Sequence, residues 1–215
     1  MKLKKIAIFG KGGFGREVQM LIEQINECKM TWEFIGFFDD AKAEEKINGA
    51  PYLGGPNELN SYNEELNVVL AIGIPETKRL ILQKIVNQNI KFPVLIHPSV
   101  IIGNRQFVSI DEGSIICAGN IITVNIEIGK HVILNLACTV GHDTQIHDYC
   151  SFMPHVSISG EVVIKDGVYV GTGASIINQL EIGENTTVGA GSVVAKSLPA
   201  NCVAVGVPAK PIKFK

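Results

Sequence analysis

The stretch LNLACTVGHDTQIHDYCSF, residues 134–152, decides the fold of this chain. It carries a large apolar residue at every sixth position, Leu134, Val140, Ile146 and Phe152, with mostly small or polar residues between them. A period of six fits neither an α-helix, with about 3.6 residues per turn, nor an alternating β-strand. It is typical of a parallel β-helix, in which a short strand turns a corner every six residues and points one large side chain inward.

The same period extends in both directions from this stretch. Fifteen consecutive positions at a spacing of six, from Ile110 to Val194, carry a large apolar residue. Three short strands close one coil, and successive coils stack at about 4.8 Å. The apolar residues Ile102 and Val108 are two residues out of register with Ile110, which predicts an irregular first coil. The tail, residues 197–215, leaves the repeat and is predicted to cap the last coil.

Residues 1–96 instead alternate between predicted strands and helices, the pattern of βαβ units around a small parallel sheet. The helix after Pro75 is expected to bury Leu80, Ile81, Ile85 and Val86. We therefore predict two domains, residues 1–97 and 98–215. The predicted strands are KKIAIFG (4–10), EFIGFFDD (33–40), NVVLAIG (67–73) and FPVLI (92–96), and the helices are GREVQMLIEQIN (15–26) and PETKRLILQKIVNQN (75–89).

Composition excludes several classes of partner. The formal net charge is −2, and the 19 basic and 21 acidic residues are spread along the chain, so nucleic acid and membrane surfaces are not expected partners. No apolar run approaches the roughly 20 residues that span a bilayer. The five cysteines form no C-x-x-C pair, which is typical of reduced thiols in a cytoplasmic protein. These features predict a cytoplasmic protein with small-molecule partners.

A glycine-rich motif follows the first predicted strand and opens the first predicted helix. Gly10, Gly12 and Gly15 fit G-x-G-x-x-G, and Asp39 and Asp40 close the next strand. Glycines let a backbone approach a pyrophosphate, and an acid after the second strand can bind ribose or base. The motif predicts a bound nucleotide, although a tight turn that only packs helix on sheet is the alternative. A nicotinamide dehydrogenase fits poorly, because under 100 residues supply only about half of a dinucleotide-binding sheet.

Four features together carry a family resemblance: the hexapeptide repeats, GKGGFGREV (10–18), GHD (141–143) and GVPAKPIK (206–213). The chain resembles the sugar O-acyltransferase, sialic-acid O-acetyltransferase-like family. The resemblance implies a left-handed β-helix after a Rossmann-like half-domain, and acetyl-CoA as the acetyl donor. It also implies a homotrimer, with a groove for acetyl-CoA built by neighbouring subunits.

The resemblance further implies which residues meet the two substrates. A nucleotide-linked sugar would lie against the first domain, where Phe14 stands at a position that is histidine in many relatives. Pantetheine or its sulfur would meet the backbone of three positions in the β-helix. The implied sugar-binding residues are Gly10, Gly12, Gly13, Phe14, Asp39, Asp40 and Gly73, and the implied acetyl-CoA-binding residues are Gly160, Thr172 and Ala190.

His142 is the candidate base. Since Val140 and Thr144 hold inward positions, His142 lies near a corner and can face outward, and Gly160, eighteen residues later, should leave open space beside its ring. Acyl transfer needs a base that takes a proton from the attacking amine or hydroxyl. The resemblance gives Asp143 the role of orienting the imidazole.

Other titratable residues in the repeats have simpler interpretations. Cys138 and Cys150 occupy inward positions, so an acyl-enzyme is not expected. His131, His147 and His155 are interpreted as turn residues. No metal is expected, because the spacing of His142, His147 and Asp148 matches no usual ligand motif.

These features predict an acetyl-CoA-dependent N-acetyltransferase that acts on a nucleotide-linked amino sugar by direct transfer, without an acyl-enzyme. A nitrogen acceptor is favoured because a free sugar offers no pyrophosphate to the glycine loop. One alternative is O-acetylation of sialic acid or another sugar. A third hypothesis, from a different class, is a non-catalytic β-helix that binds a nucleotide sugar as a scaffold or regulator.

Overall fold

The chain divides into two compact units, Met1–Pro93 and Val94–Lys215. The computed structural model describes residues 3–42 and 46–215. No helix in these described ranges is long and apolar enough to cross a membrane.

The first unit contains three helices and a six-stranded sheet. The elements are β1 Lys4–Phe9, α1 Gly13–Cys28, β2 Trp32–Phe38, β3 Lys46–Ile47, β4 Ala50–Gly54, α2 Pro56–Asn60, β5 Leu66–Leu70, α3 Pro75–Lys84 and β6 Ile90–Lys91. The strand order in the sheet is β3-β4-β2-β1-β5-β6. β1 pairs in parallel with β2 on one side and β5 on the other, as the βαβ pattern predicts. The sequence did not predict the antiparallel pair β3 and β4, the short helix α2 or the edge strand β6.

The apolar stripe predicted for α3 is only partly correct. Ile81 is buried, but Leu80 and Val86 are exposed, and the helix ends at Lys84. The buried residues of α3 are Pro75, Lys78 and Ile81, at a spacing of three. A three-residue spacing keeps side chains on one face of a helix, whereas Leu80, adjacent to Ile81, points about 100° away from it.

The boundary between the units lies at Pro93 rather than at residue 97, because the last strand predicted for the first domain belongs to the β-helix. Leu95–Ile96 pairs in parallel with Ile115–Ile116, and Ile96 packs against the apolar interior of the second unit. The spacing of six already extends back from Ile102 to Ile96, so the sequence contained this signal.

The second unit is a parallel β-helix built from three sheets. The first sheet contains β7 Leu95–Ile96, β10 Ile115–Ile116, β13 Ile133–Leu134, β16 Ser151–Phe152, β19 Tyr169–Val170, β22 Thr187–Val188, β24 Cys202–Gly206 and β25 Ala209–Phe214. The second contains β8 Ile101–Ile102, β11 Ile121–Ile122, β14 Thr139–Val140, β17 Ser157–Ile158, β20 Ser175–Ile176 and β23 Val193–Val194. The third contains β9 Val108–Ile110, β12 Ile126–Ile128, β15 Gln145–Ile146, β18 Val163–Ile164 and β21 Glu181–Ile182.

The period-six residues form the interior of this unit. Every one of them from Ile116 to Val194 is at most 2% exposed. Neighbouring coils pair residues 18 apart, as Thr139 does with Ser157. In the first coil the spacing widens: Ile102 pairs with Ile122, and the two extra residues lie around a 3₁₀ turn at Arg105–Phe107. The predicted irregular first coil is therefore confirmed.

Corners between the sheets place many non-glycine residues in the left-handed region of backbone space. His131 and His155 have φ angles of 54° and 60° and are turn residues, as predicted. His131 also stacks on Tyr149 of the next coil, with ring centroids 5.9 Å apart. Beyond the last coil, β24 pairs in parallel with β22 and in antiparallel with β25, so the tail continues the first sheet and ends it, as predicted.

Candidate active site

His142 and Asp143 form a hydrogen-bonded pair at a corner between the second and third sheets. The imidazole Nδ1 lies 2.7 Å from Asp143 Oδ2. Adjacent residues on an extended strand point to opposite faces, but Asp143 has a φ of 57°, and the left-handed turn brings its carboxylate to the histidine ring. The two side chains are 56% and 49% exposed, so the pair is open to solvent and ligand.

Asn125, one coil earlier, holds the other oxygen of the same carboxylate. Its Nδ2 donates to Asp143 Oδ1 at 2.9 Å. The hydrogen bond from Asn125, followed by that from His142, holds the pKa of Asp143 below its ordinary value, so Asp143 is ionised at neutral pH. Sequence reasoning missed Asn125. Its position eighteen residues before Asp143 was the available signal.

The ionised carboxylate determines which imidazole nitrogen can act as a base. A carboxylate only accepts hydrogen bonds, so Nδ1 of His142 must donate to Asp143. In the neutral ring, Nε2 is then the unprotonated nitrogen and can accept a proton.

Gly160 lies against the imidazole, but it does not leave the open space that the sequence predicted. A Cβ built on Gly160 would lie 2.5 Å from Nε2 of His142 and 2.6 Å from its Cε1. The ring itself therefore fills the room that the missing side chain leaves. Gly160 is buried, and its proposed contact with acetyl-CoA has to compete with this packing role.

A cleft of about 460 Å³ opens on the carboxylate side of the pair. Asn125 and Asp143 line it together with Phe107 and Glu127, but His142 does not. The nitrogen that can accept a proton is Nε2, whereas this cleft adjoins the oxygens that hold the ring from its Nδ1 side. The cleft is therefore not assigned to the reacting nitrogen of the acceptor.

The cysteines in the β-helix are poor nucleophiles. Cys138 and Cys150 are fully buried in the interior, as predicted. Burial raises the pKa of the Cys138 thiol to about 11, so little thiolate exists at neutral pH. In residues 3–42 and 46–215, no three or more His, Cys, Asp or Glu side chains are grouped to hold a metal ion.

The three predicted acetyl-CoA positions lie on two different edges of the β-helix. Thr172 and Ala190 are exposed and stack in neighbouring coils at the corners between the first and second sheets. Gly160 lies at a corner between the second and third sheets, beside His142. The structure thus brings Thr172 and Ala190 together, and the width of the second sheet separates them from Gly160.

In the first unit, the glycines of the loop between β1 and α1 differ in what surrounds them. A Cβ on Gly10 would lie 2.8 Å from the carbonyl oxygen of Ala71, and a Cβ on Gly15 would overlap the carbonyl oxygen of Gly10. The fold therefore requires both. Around Gly12 and Gly13, in contrast, no atom of the described residues lies within 4 Å of the added Cβ, apart from those of the chain neighbours and the helix's own backbone. Packing within the described part of the chain therefore does not require glycine at positions 12 and 13.

The N-terminus of α1 begins at this open surface. Gly12 is its N-cap, no side chain caps it, and its first turn contains no acidic residue. The first N–H groups of a helix have no partner within the helix and attract anions. Gly12 and Gly13 are exposed, and Phe14 is half-buried.

Asp39 lies beside the glycine loop and already has two partners there. The Lys11 backbone N–H donates to its Oδ2 at 2.8 Å, and the Lys11 ammonium lies 3.2 Å from its Oδ1. Asp40 forms a separate, exposed ion pair with Lys84 at 2.9 Å. Gly73 lies three residues beyond the end of β5. Sequence reasoning missed Lys11, although it stands inside the glycine motif.

Known proteins match both units. Residues 5–85 match the model of the PglD N-terminal domain, and residues 161–196 match the model of the bacterial transferase hexapeptide (six repeats). GDP-perosamine N-acetyltransferase of Escherichia coli O157:H7 is 32% identical over 214 residues, which cover 96% of this chain and 95% of that protein.

Two solved structures resemble the chain over nearly their whole length. PerB from Caulobacter crescentus, in complex with CoA and GDP-perosamine, is 28% identical with a TM-score of 0.84, and the match covers 99% of each chain. The acetyltransferase domain of PglB from Neisseria gonorrhoeae, in complex with acetyl coenzyme A, is 30% identical with a TM-score of 0.87, covering 98% of this chain and all of that one.

Proposed function

The chain belongs to the hexapeptide-repeat sugar acetyltransferases with a PglD-type N-terminal domain, and we propose that His142 is the base of its reaction. It is an acetyltransferase that uses acetyl-CoA and acetylates the amino group of a nucleotide-linked sugar. The hydrogen bond between Nδ1 of His142 and Asp143 carries the proposal for the base, because it leaves Nε2 as the proton acceptor.

The reaction is a direct transfer between the two substrates. The sugar amine, in its neutral form, attacks the thioester carbon, a nitrogen–carbon bond forms, and the carbon–sulfur bond breaks to release CoA. The amine gains positive charge as it attacks, and Nε2 of His142 takes its proton. The Asp143 carboxylate stabilises the imidazolium that results, and the proton then neutralises the departing thiolate.

The nucleotide part of the acceptor binds the glycine loop of the first unit. Gly12 and Gly13 leave room for a pyrophosphate at the N-terminus of α1, where the first N–H groups have no partner within the helix and favour an anion. Gly10 shapes the turn, and Asp39 fastens the loop through Lys11. We assign Phe14, Asp40 and Gly73 to the same sugar-nucleotide site: Phe14 follows Gly13 directly, Asp40 follows Asp39, and Gly73 comes three residues after β5. PerB, for comparison, binds GDP-perosamine.

Acetyl-CoA lies between two copies of the chain in a homotrimer. The two edges that carry Gly160 and the pair Thr172 and Ala190 are separated within one chain by the second sheet. A groove that uses both therefore combines one edge of each of two copies. A cyclic arrangement repeats this contact and closes it. Light scattering that finds a fully active monomer would contradict the shared groove.

The decisive experiment measures thiol released from acetyl-CoA with a panel of nucleotide amino sugars and free sialic acid. Replacing His142 by Ala should preserve the fold and lower kcat about 10²- to 10⁴-fold, the usual contribution of a positioned base. Asp143→Asn should lower kcat less. Near-normal turnover of His142→Ala would remove His142 from the mechanism, and efficient acetylation of free sialic acid would contradict the nucleotide-sugar acceptor.

A further inference from the structure

Four side chains form a column along the edge that carries His142. Asn125, Asp143, Glu161 and Gln179 occupy equivalent corners of successive coils, with φ angles of 55°, 57°, 58° and 60°. The column contains two hydrogen bonds from a side-chain amide to a carboxylate. Asn125 Nδ2 donates to Asp143 at 2.9 Å, and Gln179 Nε2 donates to Glu161 at 3.2 Å. Each carboxylate thus accepts from an amide of a neighbouring coil.

The two bonds differ in what else the carboxylate touches. Asp143 follows His142 in the chain and binds its Nδ1, whereas Glu161 follows Gly160, which has no side chain. The hydrogen bond from Asn125 therefore reaches the imidazole through the Asp143 carboxylate, whereas the otherwise similar bond from Gln179 reaches no imidazole. Both amides could help to shape the corner of their coil. Only the amide of Asn125, however, binds a carboxylate that in turn binds an imidazole.

We propose that Asn125 is a positioning residue for the acetyl transfer: it holds Oδ1 of Asp143 so that Oδ2 stays on Nδ1 of His142. The proposal rests on the proposed role of His142 as the base. Asp143 is half-exposed, so without a second partner its carboxylate can rotate into water and release the ring. The imidazole would then lose both its fixed orientation and the fixed tautomer that leaves Nε2 free.

The test replaces each amide by glycine, which accepts a positive φ without strain. Asn125→Gly should lower kcat about tenfold, the value of one hydrogen bond, with KM for both substrates nearly unchanged. The matched control, Gln179→Gly, breaks the equivalent bond two coils away and should leave kcat unchanged. Equal kcat values for the two variants would overturn the proposal.

The pH profile of kcat/KM separates positioning from a general loosening of the corner. With Asp143 less firmly held on Nδ1, the imidazolium is less stable, so the acid limb of Asn125→Gly should move to lower pH. In Asn125→Asp a third carboxylate joins Asp143 and Glu161 in the column, which favours the protonated ring and should move the acid limb to higher pH. Unmoved limbs in both variants would contradict the proposal.

A double mutant shows whether Asn125 acts through Asp143. In an Asp143→Asn background, the further change Asn125→Gly should lower kcat by much less than tenfold, because its target is already gone. A full tenfold loss in that background would mean that Asn125 acts by another route. If His142→Ala itself retained turnover, the proposed base would fail first, and the two failures would be distinguishable.

Discussion

The two units use glycine next to their candidate functional groups in opposite ways. At Gly160 in the β-helix, the room left by the missing side chain is filled by the chain's own imidazole. At Gly12 and Gly13 in the first unit, no atom of the described chain fills it. One glycine therefore packs against the proposed base, whereas the other two leave a surface that a phosphate can approach.

This difference indicates which reaction parameter each region controls. A residue that fixes the base should affect turnover, because the base acts in the transition state. A residue that makes room for the substrate should affect KM. Substitutions that add a single side chain at these glycines can therefore separate the two regions experimentally.

Among substitutions at these glycines, the largest expected effect is at Gly160. Alanine there would put a Cβ 2.5 Å from Nε2 of His142, and the half-exposed ring can escape only by swinging away from its present position. We expect Gly160→Ala to lower kcat by up to about 100-fold, since displacing the proposed base by about 1 Å can cost that much. Steady-state kinetics with the nucleotide sugar checks this.

The control for this variant removes the imidazole. In His142→Ala, the added Cβ at Gly160 meets no ring, so His142→Ala/Gly160→Ala should unfold at the same temperature as His142→Ala and have the same residual kcat. A further loss of stability in the double variant would show that the alanine clashes with the backbone instead.

The sequence predicted the β-helix well because its interior repeats. Each of the fifteen large apolar residues from Ile110 to Val194 had fourteen equivalents, so the pattern was much stronger than any single residue. The first domain offered no such repetition. The short strands β3 and β6 contain two residues each, too few to show a period. FPVLI was assigned to the first domain because it is apolar enough for either unit. The spacing of six between Ile96 and Ile102, which favours the β-helix, was not used, and the pairing with Ile115–Ile116 settles the assignment of this strand.

The site was predicted less completely than the fold, for a related reason. His142 was found because it stands at an outward-facing corner of the repeat, and Asp143 was found because the GHD motif carries the family resemblance. Asn125 and Lys11 were missed because each looks like an ordinary polar residue until its partner is known. The sequence correctly predicted that Gly160 lies next to His142, but it wrongly predicted open space there. The eighteen-residue stacking of coils gives the position of a residue but not the direction in which its imidazole points.

A smaller effect is expected at Gly13, and it should appear in a different parameter. Gly13 is the first residue of α1, where leucine is compatible with the helix, and the surrounding space is open. Gly13→Leu should raise KM for the nucleotide sugar about tenfold by filling the phosphate-approach surface, while KM for acetyl-CoA stays the same. An unchanged sugar KM would remove this loop from the acceptor site.

Gly15 is the matched control for that prediction. It lies two residues further along the same helix, but a Cβ there would overlap the carbonyl oxygen of Gly10. Gly15→Ala should therefore lower the unfolding temperature, whereas Gly13→Leu should not. If both variants lose stability alike, the changed KM of Gly13→Leu would reflect a damaged fold.

The smallest effect is expected at Asp39, and it decides whether this carboxylate contacts the nucleotide or only fastens the glycine loop. Both of its oxygens already have partners: the Lys11 backbone N–H donates to Oδ2, and the Lys11 ammonium and the Ala41 backbone N–H donate to Oδ1. Asp39→Asn keeps an acceptor for the N–H but loses the charge, so we expect KM for the nucleotide sugar to rise only about threefold, as for a partly exposed ion pair.

Lys11→Met removes the ammonium and retains the hydrogen bond from the Lys11 backbone N–H to Asp39. If Asp39 acts through Lys11, the double variant should be no worse than Asp39→Asn, because the two changes disrupt the same interaction. Effects that multiply would instead place Asp39 in direct contact with the nucleotide, and the glycine loop would then be one of two independent parts of the acceptor site.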